Sequence, residues 1–149
     1  MRLQYETDRD LEHEESAKRL LERAWNCTLA KLPVSYHLDF GAFRNGKAVA
    51  WVEYKRRNIQ YEAYDSIILS GLKWSRGWLL SQSTKLPFLF VVEWDDAIGY
   101  YEVKGDVPDL RIAGRGGLNY RDSADQEPCV HIPRSEFRIV QTEPVRQPA

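Results

Sequence analysis

A chain of 149 residues that is 43% hydrophobic and 29% charged predicts one folded domain and excludes an intrinsically disordered protein. Its formal net charge of −1 argues against a general binder of polyanions, because sequence-independent affinity for nucleic acid comes from many Lys and Arg contacts to phosphates. The sequence has no apolar run of about 18 residues, no signal-peptide core near Met1 and no cysteine spacing typical of zinc, so we expect a cytoplasmic protein without membrane contact.

The first predicted helix begins at Thr7–Asp10, where Thr7 is a suitable cap and acidic residues favour the first turn, and it ends near Asn26–Cys27. At about 100° per residue, its buried stripe consists of Leu11, Ala17, Leu21 and Trp25. Glu14 lies at the centre of this stripe. A carboxylate on the buried face of a helix is costly unless it is paired or bound to a metal. Glu14 is therefore either the partner of Lys18 in a surface ion pair or a carboxylate of a functional site.

A β-hairpin is predicted next. Val34–Phe40 is typical of a strand, Arg44–Lys47 contains the Asn-Gly pair that favours a tight turn, and Ala48–Lys55 is the return strand. The two strands run antiparallel through a short turn. We therefore expect Asp39, on the first strand, to lie near the far end of the second strand, beside Glu53.

Side chains alternate between the two faces of the return strand. Trp51, Glu53 and Lys55 share one face, and Val52 and Tyr54 share the other. A carboxylate and an ammonium on one face, joined by a second carboxylate from the neighbouring strand, can hold a divalent cation and a water beside a phosphate. The same spacing also arises by chance on the solvated surface of a chain this rich in charge.

The remaining predicted elements are a helix and two strands. The helix is predicted over residues 63–81, with an apolar face formed by Tyr64, Ile67, Ile68, Leu72, Trp78 and Leu79. Phe88–Trp94 is almost continuously apolar, which is typical of a central strand covered on both faces. Asp95–Asp96 predicts a turn, and Ile98–Val103 predicts another strand.

We expect the whole chain, 1–149, to form a single domain with its core over residues 8–103. Residues 104–128 are rich in Gly, Asp and Arg and predict a long loop. Residues 129–140 predict a short closing strand and a terminal edge, and residues 141–149 predict a loose tail.

The order of these elements resembles the PD-(D/E)XK nuclease superfamily, in particular its small phage-encoded members. The resemblance covers Asp10 to Val103 and rests on a helix with an inward Glu14, a strand with Asp39, a hairpin, a strand with Glu53-x-Lys55, a helix and a buried strand. It implies an α/β, restriction-endonuclease-like fold with an αβββαβ core, in which helices flank a mixed central sheet. Leu38 stands where the family motif has proline.

The resemblance also implies roles for individual residues. Asp39, Glu53 and the Tyr54 backbone carbonyl would bind Mg²⁺, for which Mn²⁺ could substitute. Lys55 would position or activate the attacking water, and Glu14 would be the helix carboxylate of the site. The expected contacts to the nucleic-acid backbone are Arg56, Arg57 and Lys73, although Lys73 is also consistent with an ordinary solvated side chain.

The function that follows is a Mg²⁺-dependent endo- or exodeoxyribonuclease that acts on DNA, in the host cytoplasm if it is phage-encoded. A homodimer is a further expectation, because a nuclease core of this size offers a small footprint. The first alternative is a catalytically inactive module that binds nucleic acid or protein on the same fold. A second alternative is a phage structural or host-inhibiting protein in which these charges are only surface.

Overall fold

The computed structural model describes residues 8–114 and 126–141. In this part of the chain the helices are α1 (Asp8–Trp25) and α2 (Gly71–Thr84). The strands, in chain order, are β1 (Thr28–Lys31), β2 (Phe40–Arg44), β3 (Lys47–Arg56), β4 (Ser66–Ser70), β5 (Phe88–Glu93), β6 (Ile98–Val103), β7 (Leu110–Gly114), β8 (Gln126–Pro133) and β9 (Arg138–Gln141). Neither described helix combines the length and the apolar character needed to cross a membrane.

The strands form two sheets. The larger sheet has the order β1-β2-β3-β5-β6-β9, in which β3 and β5 are parallel and all other neighbours are antiparallel. The smaller sheet has the antiparallel order β4-β8-β7. From α1 to β5 the chain order is α1-β1-β2-β3-β4-α2-β5. Without β4, which belongs to the small sheet, these elements form the predicted αβββαβ core, and the mixed central sheet is confirmed.

The large sheet lies between two hydrophobic cores. The core under α1 consists of Ala17, Leu21, Leu29, Phe40, Ala42, Ala50, Val52, Val91 and Ile98. The core on the opposite face, under α2 and the small sheet, includes Trp51, Ile67, Leu69, Trp74, Phe88, Phe90, Val92, Trp94, Val130, Ile132 and Phe137. Because β5 contributes alternate residues to both cores, the prediction of a strand covered on both faces is confirmed.

The β2–β3 hairpin is formed by the predicted Asn-Gly turn. Asn45 and Gly46 have φ angles of 52° and 76°, and positive φ at both central residues is the requirement of the tight turn that matches the twist of paired strands. The resulting register pairs Phe40 with Val52. Asp39, the next residue outward, therefore lies at the level of Glu53, as predicted.

The strand predicted over Val34–Phe40 is wrong over most of its length. Val34–Tyr36 forms a 3-10 turn, His37 has a φ of 60°, and β2 begins only at Phe40. The edge of the sheet is instead β1, which the sequence did not predict. Only one of its four residues is buried, so it has almost no hydrophobic pattern.

The helix predicted over residues 63–81 is wrong in its first half. Ser66–Ser70 is β4, in which Ile67 and Leu69 alternate with less buried residues, and the helix begins at Gly71. Ser70 caps this helix, since its Oγ accepts a hydrogen bond from the backbone N–H of Lys73 at 3.4 Å. Of the apolar face that was predicted, Tyr64, Leu72 and Leu79 are exposed, and α2 buries Trp74, Gly77 and Ser81 instead.

Two other predictions are partly corrected. Leu11, assigned to the buried stripe of α1, is 48% exposed, whereas Ala17 and Leu21 are buried as expected. The loop predicted over 104–128 contains β7 and the first residues of β8. The helix cap at Thr7, residues 115–125 and most of the tail predicted over 141–149 lie outside the described residues.

Helix α2 packs very closely on β5 at Gly77. A Cβ atom at this position would overlap the ring of Phe88, which is fully buried. We expect Gly77→Ala to lower the free energy of unfolding by about 1–3 kcal/mol, as overpacking does, although alanine is the better helix former by about 1 kcal/mol.

Urea denaturation would measure this change. Ser75→Ala, at an exposed position of the same helix, is the matched control and should change the free energy of unfolding by no more than about 0.5 kcal/mol. Equal stability of the two variants would contradict the close packing of α2 on β5.

Candidate active site

The C-terminal half of β3 carries a carboxylate and an ammonium on the face that is covered by α2 and β4. The Glu53 side chain is 6% exposed and forms an ion pair with Lys73 of α2. Lys55 Nζ donates a hydrogen bond to the Ile68 carbonyl of β4 at 2.8 Å. Tyr54 packs against the α1 core on the other face, so the predicted alternation along β3 is confirmed.

Asp39 joins these residues through the backbone of β3. Its Oδ2 accepts a hydrogen bond from the Tyr54 N–H at 2.9 Å. The pairing of β2 with β3 begins at Phe40, opposite Val52. The Asp39 carboxylate therefore accepts the hydrogen bond that a backbone carbonyl would accept if β2 were longer. The acid is thereby held beside the residue that separates Glu53 from Lys55.

Glu14 approaches the site from α1, and the alternative of an ion pair with Lys18 is not the one that the structure shows. Lys31 of β1 lies with its Nζ 2.6 Å from Glu14 Oε1 and 3.9 Å from Asp39 Oδ1. The ammonium therefore bridges the helix carboxylate and the strand carboxylate. The sequence does not indicate Lys31, because this contact depends on β1.

The environment of Lys55 disfavours its charged form. Burial lowers the pKa of Lys55 to about 8, and the nearby charges of Arg57 and Lys73 act in the same direction, whereas Cys129 and Glu53 oppose the shift. An amine with such a pKa gains and loses protons more readily near neutral pH than an exposed lysine does.

The face of β3 that lies towards α1 carries a second polar cluster, which the sequence did not indicate. The Tyr54 hydroxyl donates a hydrogen bond to Glu93 Oε1 at 2.6 Å. Burial raises the pKa of Glu93, and this hydrogen bond opposes the increase. Burial and the neighbouring Glu93 likewise raise the pKa of Tyr54.

Arg56 belongs to the same cluster. It donates hydrogen bonds to the Glu93 carbonyl at 3.1 Å and to Asp95 Oδ1 at 2.6 Å, and its side chain is only 14% exposed. The guanidinium is thus bound within the protein at the turn formed by Asp95 and Asp96. The contact of Arg56 with nucleic acid stays a prediction, and these internal bonds make the guanidinium less available for that role.

The oxygen atoms at the end of β3 fit a hard divalent cation in part. Asp39 and Glu53 provide carboxylates and Tyr54 provides a carbonyl, which are the ligand types that Mg²⁺ prefers. Within residues 8–114 and 126–141, no group of three His, Cys, Asp or Glu side chains could hold a metal together. Two carboxylates suffice for Mg²⁺ when waters and substrate phosphates complete its shell.

A solved structure with a similar fold is that of a Holliday junction resolvase from the archaeal hyperthermophile Archaeoglobus fulgidus. The match has a TM-score of 0.54, covers 85% of this chain and 90% of the resolvase, and has 13% sequence identity. At this identity the likeness concerns the fold alone, and it confirms the restriction-endonuclease-like α/β architecture. No curated protein matches the sequence.

The family described as "Phage putative PDDEXK endonuclease" matches residues 1–140, which is nearly the whole chain. The matched region contains Asp39 and the Glu53-x-Lys55 sequence, the residues on which the resemblance was based. The chain therefore belongs to the phage PD-(D/E)XK endonuclease family.

Proposed function

We propose that this protein is a divalent-metal-dependent nuclease that hydrolyses phosphodiester bonds in DNA. Membership of a PD-(D/E)XK family supports nuclease chemistry in general. The strongest support from the structure is the hydrogen bond between the Tyr54 N–H and the Asp39 carboxylate. It brings one acid beside the strand segment that carries the second acid, Glu53, and the ammonium of Lys55.

Asp39 and Glu53 would hold the cation together with the Tyr54 carbonyl. The N–H and C=O of one strand residue point to the same neighbouring strand, so the Tyr54 carbonyl faces the side from which Asp39 approaches. We propose Mg²⁺ as the cofactor, with Mn²⁺ able to substitute, because both accept oxygen ligands. When bound, the cation would offset the charge of the scissile phosphate and make a nearby water more acidic.

Lys55 would hold the attacking water and a phosphate oxygen. Its ammonium has three N–H donors, one of which is directed to the Ile68 carbonyl. The anchored head group can offer its other donors to the water and the phosphate. In the alternative role, Lys55 would first lose its own proton, which a pKa of about 8 permits, and the neutral amine would then accept a proton from that water during in-line attack on phosphorus.

Glu14 and Lys31 would control the position of the Asp39 carboxylate. The Lys31 ammonium lies between the two acids, and a cation in this position reduces the repulsion between them. Glu14 would in addition contribute to the shell of the metal through a water, from the α1 side of the site.

Arg57 and Lys73 are the proposed contacts to the DNA backbone, and Lys73 must leave its ion pair with Glu53 to reach a phosphate. Arg56 is left out, because its guanidinium is bound to the Glu93 carbonyl and to Asp95.

Cleavage assays should compare single strands, linear duplexes and four-way junctions, since a Holliday junction resolvase shares the fold. A closed circular substrate in the same panel would distinguish cutting within a strand from cutting at an end.

We expect Asp39→Asn and Glu53→Gln each to reduce Mg²⁺-dependent DNA cleavage by at least about a hundredfold, because each removes a charged metal ligand while it keeps the shape of the side chain. Asparagine also retains an oxygen that can accept the Tyr54 N–H. Cleavage of labelled DNA in Mg²⁺ and in Mn²⁺ would be measured, with circular dichroism to verify folding.

Asp109→Asn is the control for these two variants, since Asp109 forms an exposed ion pair with Arg111 in a part of the chain that is not assigned to the site. It should cleave DNA like the wild type. Full activity of a folded Asp39→Asn protein would rule out the proposed metal ligands.

We expect Lys55→Met to lower the rate of the cleavage step by about 10²–10⁴-fold, the usual loss when a group that handles the proton of the reaction is removed. Methionine fills the same space without a charge, so the fold should be retained. Single-turnover cleavage would measure the rate, and Lys104→Met, at an exposed position, is the control. A rate equal to that of the wild type would exclude Lys55 from the reaction.

A further inference from the structure

The ion pair between Lys73 and Glu53 lies inside the proposed metal site. The side chains are 21% and 6% exposed, so this is not a solvated surface contact. Lys73 is also in the first turn of α2, directly after the Ser70 cap. Positive side chains are disfavoured at this end of a helix, because its partial charge is positive as well. The ammonium is therefore held in place by Glu53 and not by its own helix.

While the Lys73 ammonium stays beside Glu53, electrostatic repulsion opposes the binding of another cation there. Lys55 follows on the same face of β3, where its Nζ donates a hydrogen bond to the Ile68 carbonyl at 2.8 Å. Two ammonium groups thus already surround one buried carboxylate. A divalent ion beside Glu53 would be repelled by the Lys73 ammonium at short distance, where the interaction is strong because the pair is shielded from water.

We propose that Lys73 is the resident counterion of Glu53 in the metal-free protein, that a divalent cation displaces it, and that Lys73 therefore limits the affinity of the metal site. This inference rests on the proposed function, since it takes Glu53 as a metal ligand. Lys73 is then a positioning residue, which keeps the buried carboxylate paired and oriented until the metal arrives.

Displacement has a consequence for the substrate. Once the cation has bound Glu53, the Lys73 ammonium has lost its anionic partner, and a phosphate of the DNA backbone can replace it. DNA and metal would then bind with positive coupling, because each makes the other's site available. In the absence of DNA, the metal must break the ion pair without this compensation.

The test is a titration with Mn²⁺ in the absence of DNA, in which free Mn²⁺ is measured by electron paramagnetic resonance. We expect Lys73→Met to bind Mn²⁺ at least about tenfold more tightly than the wild type, because no ammonium competes for Glu53. Lys73→Gln, which keeps a hydrogen-bond donor but not the charge, should also bind more tightly and guards against misfolding of the methionine variant.

Arg76→Met is the matched control, because it removes one positive charge from an exposed position of the same helix. If a general change in charge were responsible, this variant would gain affinity as well. We expect its Mn²⁺ affinity to remain within about twofold of the wild type, since exposed charges are screened by water and salt.

Thermal unfolding gives a second readout. Metal-free Lys73→Met should melt at a lower temperature than the wild type, because its buried Glu53 has lost this ion pair, and Mn²⁺ should raise its melting temperature by more than it raises that of the wild type. A merely structural role of Lys73 would lower the melting temperature without increasing the affinity for Mn²⁺.

Unchanged or weaker Mn²⁺ binding by both Lys73 variants, together with Mn²⁺ binding and DNA cleavage by the wild type, would overturn the role of Lys73 and leave the proposed nuclease function intact. A wild-type protein that neither binds Mn²⁺ nor cleaves any DNA of the panel would overturn both.

Discussion

The candidate site depends on the point at which β2 begins. Because β2 starts at Phe40, opposite Val52, the N–H of Tyr54 lies beyond its first residue and is satisfied by the Asp39 carboxylate. A buried N–H that lacks an acceptor costs about 1–3 kcal/mol, so the protein gains stability from the same hydrogen bond that holds the acid beside Glu53. One interaction thus completes the edge of a strand and aligns two potential metal ligands.

Strand β3 serves both cores of the protein, and this makes it a stiff support. Glu53 and Lys55 point towards α2 and β4, whereas Tyr54 points towards α1 and hydrogen-bonds Glu93 of the neighbouring strand. Arg56 closes the end of the same pair of strands by binding the Glu93 carbonyl. Polar contacts on both faces therefore fix the backbone from which the proposed catalytic groups extend.

The sequence predicted those parts of the fold that depend on local patterns. The Asn-Gly turn defined the hairpin, and the alternation along β3 assigned Glu53 and Lys55 to one face. Strand β1 was missed because it is short and has almost no hydrophobic pattern, and β4 was missed because it is short and its partner β8 lies far along the chain. The unforeseen partners of the site, Lys31 and the Ile68 carbonyl, lie on these two strands, and the Lys73 contact depends on where the second helix begins after β4.

The small sheet links the site to residues far along the chain. The Ile68 carbonyl that anchors Lys55 belongs to β4, and β4 is paired along its whole length with β8. A shorter chain that ended at Val103 would retain Asp39 and Glu53 but would lose the strand that keeps β4 in place. Shortening of the chain, whether natural or engineered, would therefore disturb Lys55 more than Asp39 and Glu53, because the two acids are held by the central sheet.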